Sequence, residues 1–169
     1  MKSLLMFAVV SVVTFSACGQ KVNTKSPIAE VKGSTASGTT IYIRYNQPSV
    51  KGRTIGKDLE PMAGKVWRTG ADSATVFEVN KDVKIEGKAL AAGRYALFTI
   101  ANGEDWTIIL NKDVHKWGAF SYKESEDVVR VNVKAGKAAA FAEKFTITVS
   151  KAGKVDLLWG DSDVAFTVE

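Results

Sequence analysis

One short segment of the chain concentrates side chains that can hold a small polar ligand. Trp67 offers a flat aromatic face, Arg68 a guanidinium and Asp72 a carboxylate. A guanidinium binds a carboxylate, a phosphate or sugar hydroxyls through a fixed fork of N–H donors, and an indole face supports stacking. The hydroxyls of Thr69 and Thr75 add further hydrogen-bonding groups. This pattern predicts contact with a ligand.

A second aromatic segment follows a predicted strand and contributes two more candidate ligand-binding residues, Trp117 and Tyr122. Aromatic side chains on a loop can form a platform for sugars, but they also fold back to cover a core. The first segment has an internal alternative too. Arg68 could pair with Asp72 and fix a turn while Trp67 fills the core.

The sequence indicates no catalytic residue, cofactor or metal. Its single His and single Cys exclude a structural zinc site of the usual four-ligand kinds within one chain, so His-dependent catalysis would have to use His115. Ser121, His115 and Asp113 could form a triad on paper, yet nothing around Ser121 resembles a nucleophile elbow. The paired carboxylates lie in predicted turns, where acidic residues are common for conformational reasons.

These candidates must be positioned by strands. From residue 39 onward, apolar and polar residues alternate in short runs that are separated by Gly- and Asp-rich turn signals. About ten short strands without intervening amphipathic helices predict an all-β fold, an antiparallel β-sandwich or jelly roll, formed by residues 39–169 as one domain. The Ala-rich residues 137–144 are predicted to form a short helix or a bulged connection, so at most one short helix is expected.

The N-terminus predicts export. One Lys precedes an apolar stretch that is too short to span a membrane, and small residues then lead to Cys18. Residues 1–17 are predicted to be a lipoprotein signal peptide, and Cys18 to carry the lipid that attaches the protein to the membrane. Residues 18–38 are polar and are predicted to be a flexible tether. The absence of an acidic run after Cys18 favours the outer membrane, facing the periplasm.

The charge pattern argues against a nucleic-acid partner. The chain has 23 Lys and Arg residues against 18 Asp and Glu residues, which gives a formal net charge of +5. Only five of the basic residues are Arg, and the lysines are scattered along the chain rather than clustered. We interpret this charge as solubilising.

Several short sequence motifs, taken in their order along the chain, resemble those of an uncharacterised secreted bacterial family, domain of unknown function 2911. They are residues 49–53, residues 64–71, residues 86–88 and 95–100, and residues 117–119. The second of these contains the sequence Trp-Arg-Thr-Gly-Ala at 67–71, and the last is Trp-Gly-Ala. The resemblance extends from residue 42 to the C-terminus and implies a secreted or lipid-anchored β domain, with no established reaction, cofactor or ligand. The family pattern usually has Asn in place of Asp72 and no His in place of His115.

Three functions are compatible with these residues. The favoured one is a non-catalytic cell-envelope module that binds a small polar or carbohydrate ligand through the candidate residues. The first alternative is a structural or assembly lipoprotein that binds another envelope protein. The second is a hydrolase whose carboxylates cannot be paired from the sequence.

Overall fold

The fold is antiparallel and all-β, as the alternation predicts. The computed structural model describes residues 26–114 and 117–169. Within these ranges it contains ten strands and a single 3-10 turn, Glu124–Glu126. The strands are β1 (Ile28–Ser34), β2 (Thr40–Asn46), β3 (Val66–Trp67), β4 (Thr75–Val79), β5 (Val83–Ile85), β6 (Lys88–Leu90), β7 (Gly93–Asn102), β8 (Asp105–Asn111), β9 (Asp127–Val149) and β10 (Lys154–Thr167). No helix in these ranges has the length and apolar character needed to cross a membrane.

The strands form a curled sheet in the order β1-β2-β4-β7-β8-β9-β10, and the short β3 pairs with β7. β9 makes the curl possible because its two halves have different partners. Its first half pairs with β8, from Val129 to Lys134, and its second half pairs with β10, from Ala135 to Val149. The two halves of the sheet therefore face each other across one core, and the predicted β-sandwich is confirmed.

The core lies where the alternation places it. Ile41 and Ile43 of β2 are fully buried, and Val155 and Leu157 of β10 face them from the other layer. β7 departs from simple alternation, because residues 96–99 are all buried. Its outer face is covered by a second small apolar cluster built around Phe98.

The prediction of a flexible tether over residues 18–38 is wrong for residues 28–34. Residues 28–34 form β1, which pairs with β2 along its whole length. Ala29 and Val31 pack against the core, and a Cβ at Gly33 would lie 2.5 Å from Cγ1 of Val149. Small and medium side chains close this edge of the sandwich, so the segment looks polar in sequence although it is part of the domain.

A second correction concerns the Ala-rich residues 137–144 and residues 160–163, which form one of the Gly- and Asp-rich turn signals that separate the predicted strands. Both segments are extended: the first lies within β9 and the second within β10. The pairing between these strands shifts register between Leu158 and Gly160, and again between Gly160 and Ser162. The Ala-rich segment is therefore not a helix, whereas the alternative of a bulged segment agrees with these register shifts.

One long connection matters for the site. Residues 47–65 join β2 to β3 without a strand of their own, a length that in compact domains usually serves a function. This loop is held against β9: the N–H of Val50 donates to the carbonyl of Glu143 at 2.8 Å, and the N–H of Phe145 donates to the carbonyl of Pro48 at 2.9 Å. It therefore forms a fixed wall at one end of the sandwich.

Candidate functional site

The loop formed by residues 67–75 is fixed from inside by Trp67. This side chain is only 1% exposed and packs edge-on against Phe145, with ring centroids 5.0 Å apart. Its indole N–H donates a hydrogen bond to the carbonyl of Gly70 at 2.9 Å. Trp67 therefore fills the core, as the internal alternative predicts, and its one donor is used within the loop.

The two threonines complete this internal support. Both are fully buried, and the Thr75 hydroxyl donates to the carbonyl of Thr69 at 2.6 Å. The Thr69 hydroxyl lies 3.2 Å from that of Thr99 on β7. Thr69 has a φ of +53°, a conformation that a β-branched residue rarely adopts and that its surroundings must hold in place.

Gly70 is required here by close approach. A Cβ at this position would lie 3.0 Å from the carbonyl oxygen of Asn46 and 3.0 Å from Oγ1 of Thr75. A side chain here would therefore be crowded against β2 unless these neighbours shift by a few tenths of an ångström. The motif at residues 67–71 thus has a local physical meaning, because most of its members hold the backbone that carries Arg68.

Arg68 and Asp72 line a cleft of about 630 Å³, which we call the Arg68 cleft. Its walls are the 47–65 loop and the 67–75 loop, and the aromatic side chains of Trp67 and Trp159 contribute to its lining. Three cations and three carboxylates also line it: Lys51, Arg53, Arg68, Asp58, Glu60 and Asp72. A volume of this size suits a small molecule.

The arginines of the chain separate into two groups. Among the described residues, neither Arg53 nor Arg68 makes an ion pair, and both line the cleft. The Nε of Arg68 is also buried, with no hydrogen-bond partner in the part of the chain that the structure describes. The predicted pairing of Arg68 with Asp72 is therefore not formed. The other three arginines are in ion pairs: Arg44 with Glu30, Arg94 with Glu78, and Arg130 with Asp127.

Arg53 is held by backbone carbonyls. Its Nε donates to the carbonyl of Val50 at 3.1 Å, and its Nη2 donates to that of Ser49 at 2.7 Å. Two acidic side chains of the cleft are engaged locally as well: Asp58 accepts from the N–H of Thr54 and Glu60 from that of Met62. The arginines thus keep donors available while these acids already have a backbone partner.

Trp117 lies beside the cleft but does not line it. The residue is 68% exposed, and its backbone forms a bridge with Ser73. The N–H of Gly118 donates to the carbonyl of Asp72 at 3.0 Å, and a Cβ at Gly118 would lie 4.0 Å from Nη1 of Arg68. The loop that carries Trp117 is therefore tied by its backbone to the 67–75 loop close to Arg68, while the indole itself is mostly exposed.

Tyr122 lies away from the cleft, in a polar network on the outer face of the sheet. Its hydroxyl donates to Oδ2 of Asp127 at 2.6 Å and accepts from Nη2 of Arg130 at 2.7 Å. Burial of Tyr122 raises its pKa, and the hydrogen bond to Asp127 raises it further. Its ring packs against Phe98, with centroids 5.2 Å apart. This residue ties its loop to the sheet.

The acidic side chains of the described residues do not gather into a metal-binding cluster. No group of three or more His, Cys, Asp or Glu side chains there is placed to hold a metal ion. One pair of acids is brought together: burial and the neighbouring Asp156 raise the pKa of Asp163, while Lys154 opposes the shift. The predicted lipid attachment at Cys18 and the residue His115 lie outside the described residues.

Two important cleft residues, Arg53 and Trp159, were not among the candidates from the sequence. Trp159 lies in β10, far along the chain from the 67–75 loop, and its indole N–H donates to the carbonyl of Glu60 at 2.8 Å. Only the long loop brings these residues together. One signal could have found Arg53, because arginine is scarce in this lysine-rich chain and Arg53 lies in one of the motifs quoted above.

Comparison with known proteins gives one match. Residues 26–168 match the family described as Protein of unknown function (DUF2911), and this range covers the whole sandwich with β1 included. No curated protein and no solved structure matches the chain significantly. The chain therefore belongs to the DUF2911 family of proteins of unknown function.

Proposed function

We propose that this protein is a lipid-anchored, non-catalytic module of the cell envelope that binds a small polar or carbohydrate ligand in the Arg68 cleft. The ligand is held through a carboxylate or phosphate group. One observation carries this proposal: the Nε of Arg68 is buried at the cleft without a hydrogen-bond partner in the described part of the chain. A buried donor left without a partner is costly, so a ligand oxygen that accepts from it gains binding energy.

The surroundings of Arg68 support an anionic ligand group. The guanidinium is carried by a loop whose backbone is fixed by Trp67, Thr69 and Thr75, so little backbone conformational entropy is lost when a ligand binds. Arg53 is also held in place and adds a second planar cation. Two guanidiniums with fixed positions can hold one anionic group, because each presents a rigid fork of donors.

The mixture of charges supports a ligand that is polar beyond its anionic group. The carboxylate of Asp72 lines the same cleft, where it can accept hydrogen bonds from sugar hydroxyls. An acidic sugar offers both a carboxylate and several hydroxyls. This class of ligand therefore fits the lining better than a simple inorganic anion.

The binding proposal is tested by the thermal shift of the purified protein in the presence of glucuronate, galacturonate and a hexose phosphate, with glucose as the neutral comparison. We expect the acidic sugars to raise the melting temperature in proportion to RT ln(1 + [L]/Kd). Arg68→Ala should abolish the shift, and Arg44→Ala, which removes a surface arginine paired with Glu30, should preserve it. The absence of a shift with every anion, or an equal shift in Arg68→Ala, would contradict the proposal.

The lipid anchor needs its own test. We expect cells that express the protein to incorporate radiolabelled palmitate into it, and Cys18→Ser to lose the label. Fractionation should then recover the labelled protein with the outer membrane, and added protease should leave it intact in whole cells. Label retained by Cys18→Ser would refute the anchor, and cleavage in intact cells would place the domain on the outer surface.

The alternative function, binding of another envelope protein, is favoured by the aromatic surface beside the cleft. Trp117 is 68% exposed and Phe120 is 93% exposed, and such side chains are common at the centres of protein interfaces. Crosslinking in cells at position 120, followed by mass spectrometry, tests this function. A partner that is lost in Trp117→Ala but retained in Arg68→Ala would support an assembly role, while no crosslink would count against it.

A further inference from the structure

A second cavity adjoins the Arg68 cleft. It has a volume of about 400 Å³, and it shares two lining residues, Arg53 and Trp159, with the cleft. The rest of its lining is mixed: Val50, Ile55 and Phe141 are apolar, Thr54 and Ser162 carry hydroxyls, and Asp161 carries a carboxylate at the rim. We call it the Phe141 cavity. Since the two spaces meet at the same Arg and Trp, one extended molecule could occupy both.

The shape of the Phe141 cavity depends on the bulged part of β10. Gly160 lies between the two register shifts, and its φ is +60°. A Cβ at this position would lie 2.6 Å from Cδ1 of Ile55 and 3.7 Å from Cε2 of Phe141. The lack of a side chain at Gly160 therefore lets Ile55 pack directly against the backbone of β10, and this close approach at a bulge sets the floor of the cavity.

The groups around this space favour an apolar occupant. The indole N–H of Trp159 is already used by the carbonyl of Glu60, so the small part of this buried ring that reaches the cavity is apolar. The ring of Phe141 is 54% exposed. A ligand ring placed against it would remove apolar surface from water and could adopt an offset or edge-on arrangement.

Arg53 connects the two spaces in a fixed orientation. Its Nε and Nη2 donate to the carbonyls of Val50 and Ser49, so the guanidinium plane cannot turn freely. This cation lines both spaces, the cleft that Arg68 also lines and the Phe141 cavity. A molecule with an anionic end and an apolar end would match this order of groups.

We propose that the ligand is amphipathic: its anionic group lies against Arg68 and Arg53, and an aromatic or similar ring occupies the Phe141 cavity. The inference rests on the proposed function and specifies its ligand class. Aryl-substituted acids, including acidic sugars that carry an aryl group, have the required chemistry.

The experiment is a chemical-shift titration of the ¹⁵N-labelled protein with a series of carboxylates: acetate, 3-phenylpropanoate and 5-phenylpentanoate. We expect the affinity to rise by about tenfold or more from acetate to the best phenyl acid, because a ring is removed from water. Phe141→Ala should remove this gain and leave acetate binding unchanged. Phe120→Ala, which removes another exposed phenylalanine ring, on the loop between β8 and β9 rather than in β9, is the matched control and should retain the gain.

The outcomes separate the two proposals. Acetate binding without any gain from the phenyl group, or a gain that survives Phe141→Ala, would overturn the inference and leave the anion site intact. A titration with the neutral alcohol 5-phenylpentanol covers the opposite case. Binding of the alcohol that depends on Phe141, together with no response to any carboxylate, would support the apolar cavity and contradict the anionic part of both proposals.

Discussion

The 67–75 loop and the loop between β8 and β9 contain similar side chains but use them in opposite ways. In the first loop the aromatic Trp67 is buried and the charged Arg68 keeps an unused donor. In the second loop the aromatic Trp117 is exposed, whereas the polar group of Tyr122 is fully engaged with Asp127 and Arg130.

The difference shows that residue type alone does not identify the side chains that meet a ligand. The deciding factor is whether the polar group of a side chain has a hydrogen-bond partner within the protein. The indole N–H of Trp67 donates to the carbonyl of Gly70, three residues along the chain, and the side chain becomes a structural support. Arg68 finds no acceptor in the described part of the chain and is therefore the group that a ligand can satisfy.

The largest expected contrast is between the two tryptophans. Trp67→Ala should lower the free energy of unfolding by about 3–5 kcal/mol, because it leaves a cavity beside Phe145 and removes a hydrogen bond within the loop. Trp117→Ala should change it by less than about 0.5 kcal/mol, since its side chain is mostly exposed. Urea denaturation of both variants measures this contrast, and equal losses would break the distinction between the two loops.

A smaller loss is expected from Thr75→Val, which keeps the shape of the side chain but removes its hydroxyl. The carbonyl of Thr69 would lose its buried partner, at a cost of about 1–3 kcal/mol. Thr146→Val is the control, because the Thr146 hydroxyl bonds locally at an exposed site. If both valine variants unfold at the same urea concentration, the hydroxyl of Thr75 does not support the loop.

The substitution Tyr122→Phe tests the polar network of the loop between β8 and β9. We expect a loss of about 1–2 kcal/mol, because Asp127 and Arg130 each lose a hydrogen bond. The raised pKa of Tyr122 means that the folded protein keeps the phenolic proton above the ordinary value of 10.0, where the unfolded chain loses it.

This shift also sets the pH dependence of the Tyr122 contribution. The stability that Tyr122 provides should be complete below about pH 10 and should fall as the pH rises further. Unfolding of wild type and Tyr122→Phe, compared at pH 8 and pH 11, should therefore show a smaller difference at the higher pH. A difference that grows with pH would be inconsistent with the network.

Much of the fold could be predicted from the sequence, because the alternation of apolar and polar residues in β2 and β10 reports directly which side chains are buried. β1 was missed because an edge strand needs few large apolar residues, and Gly33 resembles a linker residue until Val149 is placed against it. The Ala-rich part of β9 was ambiguous because its extended form depends on pairing with β10.

The site was predictable only in part. Trp67, Arg68 and Asp72 are neighbours in the chain, so their shared loop could be inferred. The contributions of Arg53 and Trp159 depend on long-range packing of the 47–65 loop against β10, which no local pattern encodes.

The smallest expected effect on stability belongs to Arg68. Arg68→Ala removes no ion pair in the described part of the chain, so the free energy of unfolding should change by no more than about 0.5 kcal/mol. The ligand-induced thermal shift should nevertheless disappear. A large loss of stability without ligand would mean that Arg68 supports the fold, as Trp67 does.

Ligand binding by Arg68 is tested most directly by following its Nε–H group by NMR during a titration with glucuronate. The resonance can be assigned by its loss in Arg68→Lys. We predict a saturable shift of this signal and slower exchange of its proton with water, while the Nε–H signal of Arg44 stays unchanged. An Arg68 signal that does not respond while other cleft signals shift would contradict the claim that this unpartnered donor binds the ligand.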